Sequence, residues 1–382
     1  MNNWQRSKSE RSRIGFGVVC VIFTLLIFPA QKGFCAILFS DNFDSQSNWS
    51  PDQSGSTDCW DPCNSAPVGY EGYRVMGTIF PDGNPRHNTL NIDSTNPRGG
   101  TGKSLTYWVE SAGGMTVWAS DGLLVKDLGQ EYNELYARVW IKFQPGWRFV
   151  SGYSPAQKFF RIAHYMGAGV PWGYSTNGLN GQSNAMPQMI FDLAKYGGGT
   201  SDIAGVASPR CSPGYYCSPD ITGNFYYPAM NGNPAGSYGG GGTDFGDPGM
   251  IGDGNWHCWE FYMRTNSAVG QTDGIYRFWQ DGVLIGQANN IAWSDTGTPR
   301  IYGWNQVILG GNNDNPYVDA SAGAEQWYAY DDFVIYTPMS SSDPACNGQC
   351  TADGRLPLNY VIGGGQPPDT TAPRAPTGLR LR

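Results

Sequence analysis

Between Trp256 and Ile285 the chain reads WHCWEFYMRTNSAVGQTDGIYRFWQDGVLI. His257, Trp259, Phe261 and Met263 alternate with Cys258, Glu260, Tyr262 and Arg264. A period of two belongs to a strand with one buried and one exposed face. Asp281-Gly282 then falls between FWQ and VLI, and both residues tolerate the positive φ of a tight hairpin turn. The stretch is therefore two β-strands joined by a polar loop, with a tight turn behind them.

The rest of the chain agrees with an all-β reading. Its 382 residues suffice for one large β domain or two small ones. Glycine (53), proline (26), tryptophan (14) and tyrosine (22) are plentiful, whereas only 15% of residues are charged. That balance suits a sandwich with long decorated loops. No helical period appears beyond the N-terminus. The stretch from Ala194 to Gly254 is rich in Gly, Tyr, Asn and Pro. Loops of that length inside a domain are often functional, and this one could wall a binding cleft.

Arg6, Lys8, Arg11 and Arg13 precede an apolar run from Ile14 to Ala30. This is the pattern of a signal peptide over residues 1–36, with an uncleaved membrane anchor as the alternative. Without those residues 19 basic groups face 31 acidic ones, a net charge of −12. Such a field argues against nucleic acid as a partner. Export to the cell surface or beyond is the expected localisation.

Six of the remaining cysteines form close pairs in sequence: Cys59/Cys63, Cys211/Cys217 and Cys346/Cys350. In an exported chain these read as three short-loop disulfides, and their spacings match no zinc motif well. Cys258 is left over as a thiol.

Four strands carry polar groups on one face. In ELYARVWIKF the outward set is Tyr136, Arg138, Trp140 and Lys142. QKFFRIAHYM offers Gln157, Arg161 and Tyr165 on one face and His164 on the other. PQMIFDLAKY offers Gln188 and Asp192, and the Trp256 strand offers Glu260 and Tyr262. His257 falls on its strand's apolar side, as a core histidine would.

Trp256 opening a strand and the Asp281-Gly282 hairpin after it resemble the concanavalin A-like lectin/glucanase superfamily. An opening segment such as ILFSDNFDSQSNW and a closing strand such as QWYAYDDFVIYT fit the same resemblance, over residues 37–340. It implies a jelly-roll sandwich of two antiparallel sheets with long Gly-rich loops, whose terminal strands pair and whose concave sheet forms a sugar groove. Residues 341–382 then read as a Ser/Pro/Gly-rich tail with a fibronectin type III-like linker stub.

YARVWIKF and WHCWEF…FWQDG look like the lyase branch, which includes alginate lyase and heparin lyase I relatives. The hydrolase signature Glu-x-Asp-x-x-Glu is absent, and so are the alginate-lyase strings Gln-Ile-His and Tyr-Phe-Lys-Ala-Gly. If the four strands share one sheet, Arg138, Trp140, Asp192, Glu260 and Tyr262 would bind substrate. Arg161, Gln188, Tyr165 and His164 supply the residue types that neutralise a uronate carboxylate and move the C5 proton. The function implied is a polysaccharide lyase, with a non-catalytic carbohydrate-binding or adhesion module as the alternative and a hydrolase or a structural envelope protein behind them. The ligand expected is a polysaccharide or cell-surface glycan. Asp41/Asp44 and Asp331/Asp332 could hold a structural Ca²⁺ through oxygen ligands.

Overall fold

The computed structural model describes residues 36–51, 56–60, 62–76, 88–110, 122–147, 156–167, 170, 185–195, 203–211, 251–311 and 325–364. The signal-peptide segment, Cys217 and most of the Gly-rich stretch lie outside the described residues.

Fifteen strands run through the described residues. They are β1 (Ile37–Asp41), β2 (Ser56–Trp60), β3 (Gly72–Met76), β4 (Leu90–Asp93), β5 (Ser104–Glu110), β6 (Gly122–Tyr132), β7 (Glu134–Phe143) and β8 (Ala156–Tyr165). They continue with β9 (Ala185–Lys195), β10 (Ile203–Arg210), β11 (Trp256–Arg264), β12 (Gly274–Gln280), β13 (Val283–Ile291), β14 (Trp304–Gly311) and β15 (Glu325–Tyr336). β10 falls inside a stretch that its composition marks as loop. Among the described residues no helix is long and apolar enough to cross a membrane.

The first sheet runs β13-β12-β11-β7-β15-β5-β4, with β1 on β15; the second runs β10-β9-β8-β14-β6-β3-β2. Every pairing is antiparallel. The chain passes repeatedly from one sheet to the other, which makes the fold a jelly-roll sandwich. The terminal strands do pair, with Phe39 opposite Ile335. The turn between β12 and β13 is the expected one, with φ of 48° at Asp281 and 78° at Gly282.

Alternation builds the core. From β7, Leu135, Ala137, Val139, Ile141 and Phe143 point between the sheets; so do Trp259, Phe261 and Met263 of β11. Phe160 and Ile162 of β8, Met189 and Phe191 of β9, and Val307 and Leu309 of β14 meet them from the second sheet. Phe160 stacks on Phe261 at 4.2 Å between ring centroids, and Phe191 lies 4.7 Å from Phe278. Burying each such ring contributes about 1.5–3 kcal/mol, and a well-oriented aromatic pair adds about 0.5–1.5 kcal/mol.

Residues 337–364 do not leave the domain at 340. They cross the outer side of the first sheet, where Met339, Cys346 and Leu356 pack on Tyr136, Tyr262, Trp279, Val334 and Tyr336. Cys346–Cys350 closes one turn of this strap, and Cys59–Cys63 closes the loop after β2. Cys211 is also disulfide-bonded, while Cys258 is a buried free thiol.

Candidate functional site

The four strands expected to share a groove divide between the sheets. β7 and β11 belong to the first, β8 and β9 to the second. Arg138, Trp140, Glu260 and Tyr262 therefore lie on the opposite side of the sandwich from Arg161, Tyr165 and Gln188. A period of two tells which residues share a strand face, but not which sheet the strand enters.

On the first sheet the polar groups are fastened under the strap. Arg138 Nε donates to Glu260 Oε1 at 3.0 Å, and Arg138 Nη1 donates to the Pro357 carbonyl at 2.8 Å. Arg138 Nη2 donates to the Leu356 carbonyl, and the Tyr336 hydroxyl donates to Glu260. Arg355 reaches Glu260 Oε2 at 3.4 Å. Burial works against the Arg138 charge, but Glu260 outweighs it and the guanidinium is held more firmly protonated than usual. Trp140 lies beneath the Arg98 guanidinium, 3.7 Å from the ring centroid. Burial pushes the Tyr262 phenol up to about 12. Arg138, Glu260 and Tyr262 hold the strap and the sheet together, and Trp140 is covered by the Arg98 guanidinium.

The second sheet is different. A register shift between Lys158 and Phe160 sends Phe159 and Phe160 both into the core. Beyond it Ile162 points inward, while Arg161 pairs with Ile308, a member of a separate outer cluster with Leu123 and Val125. Arg161 and Ala163 thus face outward, and Gln188 sits opposite Ala163 across the β8–β9 ladder. Diagonal neighbours in such a ladder lie about 7–8 Å apart, within reach of a guanidinium and an amide. Arg161 is 6% exposed and Gln188 2%.

Tyr165 joins them from the end of β8. Its hydroxyl accepts a hydrogen bond from Trp60 Nε1 at 3.2 Å, and the two rings meet edge to face at 5.2 Å. Trp60 packs on the outer cluster of Leu123, Val125 and Ile308. It can lie flat there because Gly72 is opposite; a Cβ on Gly72 would meet the indole at 2.5 Å. Trp60 stands inside CWDPC, and the closing of that loop by a disulfide is the sequence signal that could have flagged it.

His164 does not belong to this face. Its Nδ1 lies 2.9 Å from the Gly303 carbonyl, and its ring packs on Tyr302 at 4.7 Å. Burial lowers its pKa, against the pull of Glu131. Alternation puts it on the inner side, away from Tyr165. Asp192 takes register with Lys158 and Val206 on β9, but its side chain lies outside the described residues.

Gln306 was not a sequence candidate, because WNQVILGG carries a single polar outward position among apolar ones. It pairs with Ala163 and lies on the same outer face, two residues before Ile308.

The four acids weighed for calcium already have protein donors. Asp41 accepts from the Phe43 N–H and from Gln46, both at 2.7 Å, and Asp44 accepts from the Lys103 N–H at 2.8 Å. Asp331 accepts from the Arg98 N–H at 2.9 Å, and Asp332 pairs with the Arg98 guanidinium. Among the described residues no group of three or more His, Cys, Asp or Glu side chains could hold a metal.

No protein-family model matches the chain, and no curated protein matches it in sequence. Solved structures resemble it in fold. An alginate lyase, Aly36B, in complex with alginate tetrasaccharide, is 13% identical with a TM-score of 0.44, over 78% of this chain and 96% of that one. An endo-β-1,4-glucuronan lyase from the fungus Trichoderma reesei is 12% identical with a TM-score of 0.41, over 76% and 98%. A non-specific endo-β-1,3(4)-glucanase is 12% identical with a TM-score of 0.38, over 80% and 95%.

Proposed function

We propose that this chain is an exported polysaccharide lyase that cleaves an acidic polysaccharide by β-elimination on the outer face of the second sheet. One observation carries the reading. Arg161, Gln188 and Tyr165 share that face, beside the indole of Trp60.

The chemistry needs those types in one place. The C5 hydrogen of a uronate is acidic only when charge on the adjacent carboxylate is neutralised. Arg161 and Gln188 are donors for that carboxylate. Tyr165 is the group that moves the proton. The Tyr165 phenolate oxygen takes the C5 proton, the C–H electron pair forms the C4=C5 double bond, the C4–O bond breaks, and Tyr165 passes that same proton to the leaving glycosidic oxygen. Trp60 gives a sugar ring an apolar surface to stack on.

A panel of acidic and neutral polysaccharides tests the reading. Ultraviolet absorbance of unsaturated uronates, rising with new reducing ends, is the expected result. Reducing ends alone would make the protein a hydrolase, and retention without products a binding module. Tyr165→Phe should lose turnover far more than binding, because only proton transfer needs the phenol. Export rests on the basic and apolar N-terminal pattern and on the disulfides. Sequencing the secreted form should give a start near residue 36, whereas an intact Met1 in a membrane fraction would refute cleavage.

A further inference from the structure

The outer face of the first sheet is covered unevenly. At one end the strap lies over Tyr136, Tyr262 and Tyr336, and in the middle the Arg98 guanidinium lies over Trp140. At the other end Trp256 of β11 stands opposite Lys142 of β7, and Lys142 stands opposite Ala329 of β15. Trp327 comes two residues before Ala329 and pairs with Trp108 of β5. Trp256, Lys142, Gln144 and Trp327 are all partly exposed. Trp327 is braced, because Trp108 meets it edge to face at 6.5 Å and Gln144 Oε1 accepts its N–H at 3.1 Å. That bond leaves the Gln144 Nε2–H groups as donors beside the indole. The Lys142 ammonium lies 6.0 Å from the Trp327 ring centroid. Arg98 and Arg138, on the same face, have Asp332 and Glu260 as partners. Among the described residues no carboxylate pairs with Lys142. Asp331, diagonal to Lys142, accepts the Arg98 N–H at 2.9 Å instead. Glu110 and Glu325 pair in register two places beyond Trp108 and Trp327, away from Trp256.

We propose that this end of the sheet is a second, non-catalytic glycan-binding site that takes an acidic polysaccharide. Two indoles partly open to water on a strand face are surfaces for the apolar faces of sugar rings. They stand two strand spacings apart, about 10 Å, with an unpaired ammonium between them. A chain crossing the strands stacks one ring on Trp327 and another on Trp256. Lys142 binds a ring carboxylate between them, and Gln144 Nε2 donates to a hydroxyl. Repulsion from the two glutamates favours the Trp256 side of Lys142 for that carboxylate. The site lies across the sandwich from Arg161, Gln188 and Tyr165, so it stands whether or not that face is catalytic. A long polysaccharide held here stays near the other face, which raises its local concentration there.

Titration calorimetry on the full chain with short alginate, polygalacturonate and glucuronan oligomers tests it. Lys142→Gln should remove one binding site per chain, or weaken it at least about tenfold, because a bond to a charged group is lost. Trp256→Ala should do the same through lost stacking. Lys142→Gln changes a surface group, so its melting temperature should stay within a few degrees of the parent's, and it carries the test where a tryptophan variant does not fold. Folded Lys142→Gln and Trp256→Ala proteins with the parent's stoichiometry and affinity for all three oligomers overturn the proposal. So does a parent that binds none of the three. A loss in Trp256→Ala confined to neutral β-glucan oligomers overturns it as well, and so does a dimer in sedimentation that Trp256→Ala dissolves, since the face would then serve a neutral glycan or a second copy. A parent that binds oligouronates without cleaving them, and loses a site in Lys142→Gln, supports this site and fails the catalytic reading of the other face.

Discussion

His257 carries a pH dependence that can be worked out from its contacts. Its Nδ1 lies 2.7 Å from Asp281 and its Nε2 3.1 Å from Asp253. Burial disfavours the imidazolium, but the hydrogen bond and charge of Asp281, then Asp253, outweigh it and raise the pKa. A raised folded-state pKa gives stability that is fully present below about 6.5, the unfolded value, and lost as pH rises through the folded one. Melting temperature should therefore fall as pH climbs above the ordinary histidine range. Asp281→Asn should flatten that fall, since asparagine tolerates the turn's positive φ and can still accept the Cys258 N–H. A variant with the parent's pH profile would show that the clamp contributes nothing. The apolar side of the Trp256 strand made His257 legible as a core residue. His164 was less legible, because a register shift at Lys158 blurs the alternation of its strand.

At the scale of elements, the strands could be read and their partners could not. β7 and β11 show their faces in sequence and do pair, with Glu260 opposite Arg138. β8 and β9 show the same alternation and belong to the other sheet. Both layers of a sandwich obey one pattern, so periodicity cannot sort them. The consequence for Arg138 is testable. It is 3% exposed and tied to Glu260 and to the strap. Removing one member of a buried ion pair typically costs about 3–5 kcal/mol. Arg138→Ala should lower stability by that order in chemical denaturation. Oligosaccharide affinity of the fraction still folded should not change, since Arg138 faces away from the second sheet; a selective loss of binding would return it to the site. The Cys59–Cys63 loop makes a contrasting case. Its sequence separation is 4, and closing so short a loop constrains the unfolded chain by only about 2 kcal/mol. Cys59→Ala with Cys63→Ala should cost no more than that in denaturant, while loosening Trp60 and raising KM. An unchanged KM would mean that Trp60 is held by Gly72 and Tyr165 alone.

For the whole molecule, the boundary of the domain was the harder inference. Ser, Pro and Gly suggest a linker after 340, but the segment to 364 is sewn to the first sheet. The Tyr136 hydroxyl donates to the Asp353 carbonyl at 2.8 Å, and the Leu356 N–H donates to the Tyr336 hydroxyl at 3.2 Å. Arg355 lies over Trp279 at 4.5 Å. Composition reports the turns of such a strap and not the face that it covers. A chain ending at Ser340 should therefore fail as a folded protein. It loses Leu356, whose burial alone is worth about 2–5 kcal/mol by analogy with leucine truncations. It also leaves Arg138 and Glu260 without their strap partners and uncovers Tyr136, Tyr262, Trp279 and Tyr336. Together these approach the total stability of a typical domain, about 5–15 kcal/mol. The truncated chain should bind a hydrophobic dye and show no cooperative thermal transition by circular dichroism, whereas Leu356→Ala should still melt cooperatively at a lower temperature. If the truncated chain instead melts cooperatively within a few degrees of the parent, the strap is an accessory, and the part of the first sheet that it covers becomes a further surface to test against the polysaccharide panel.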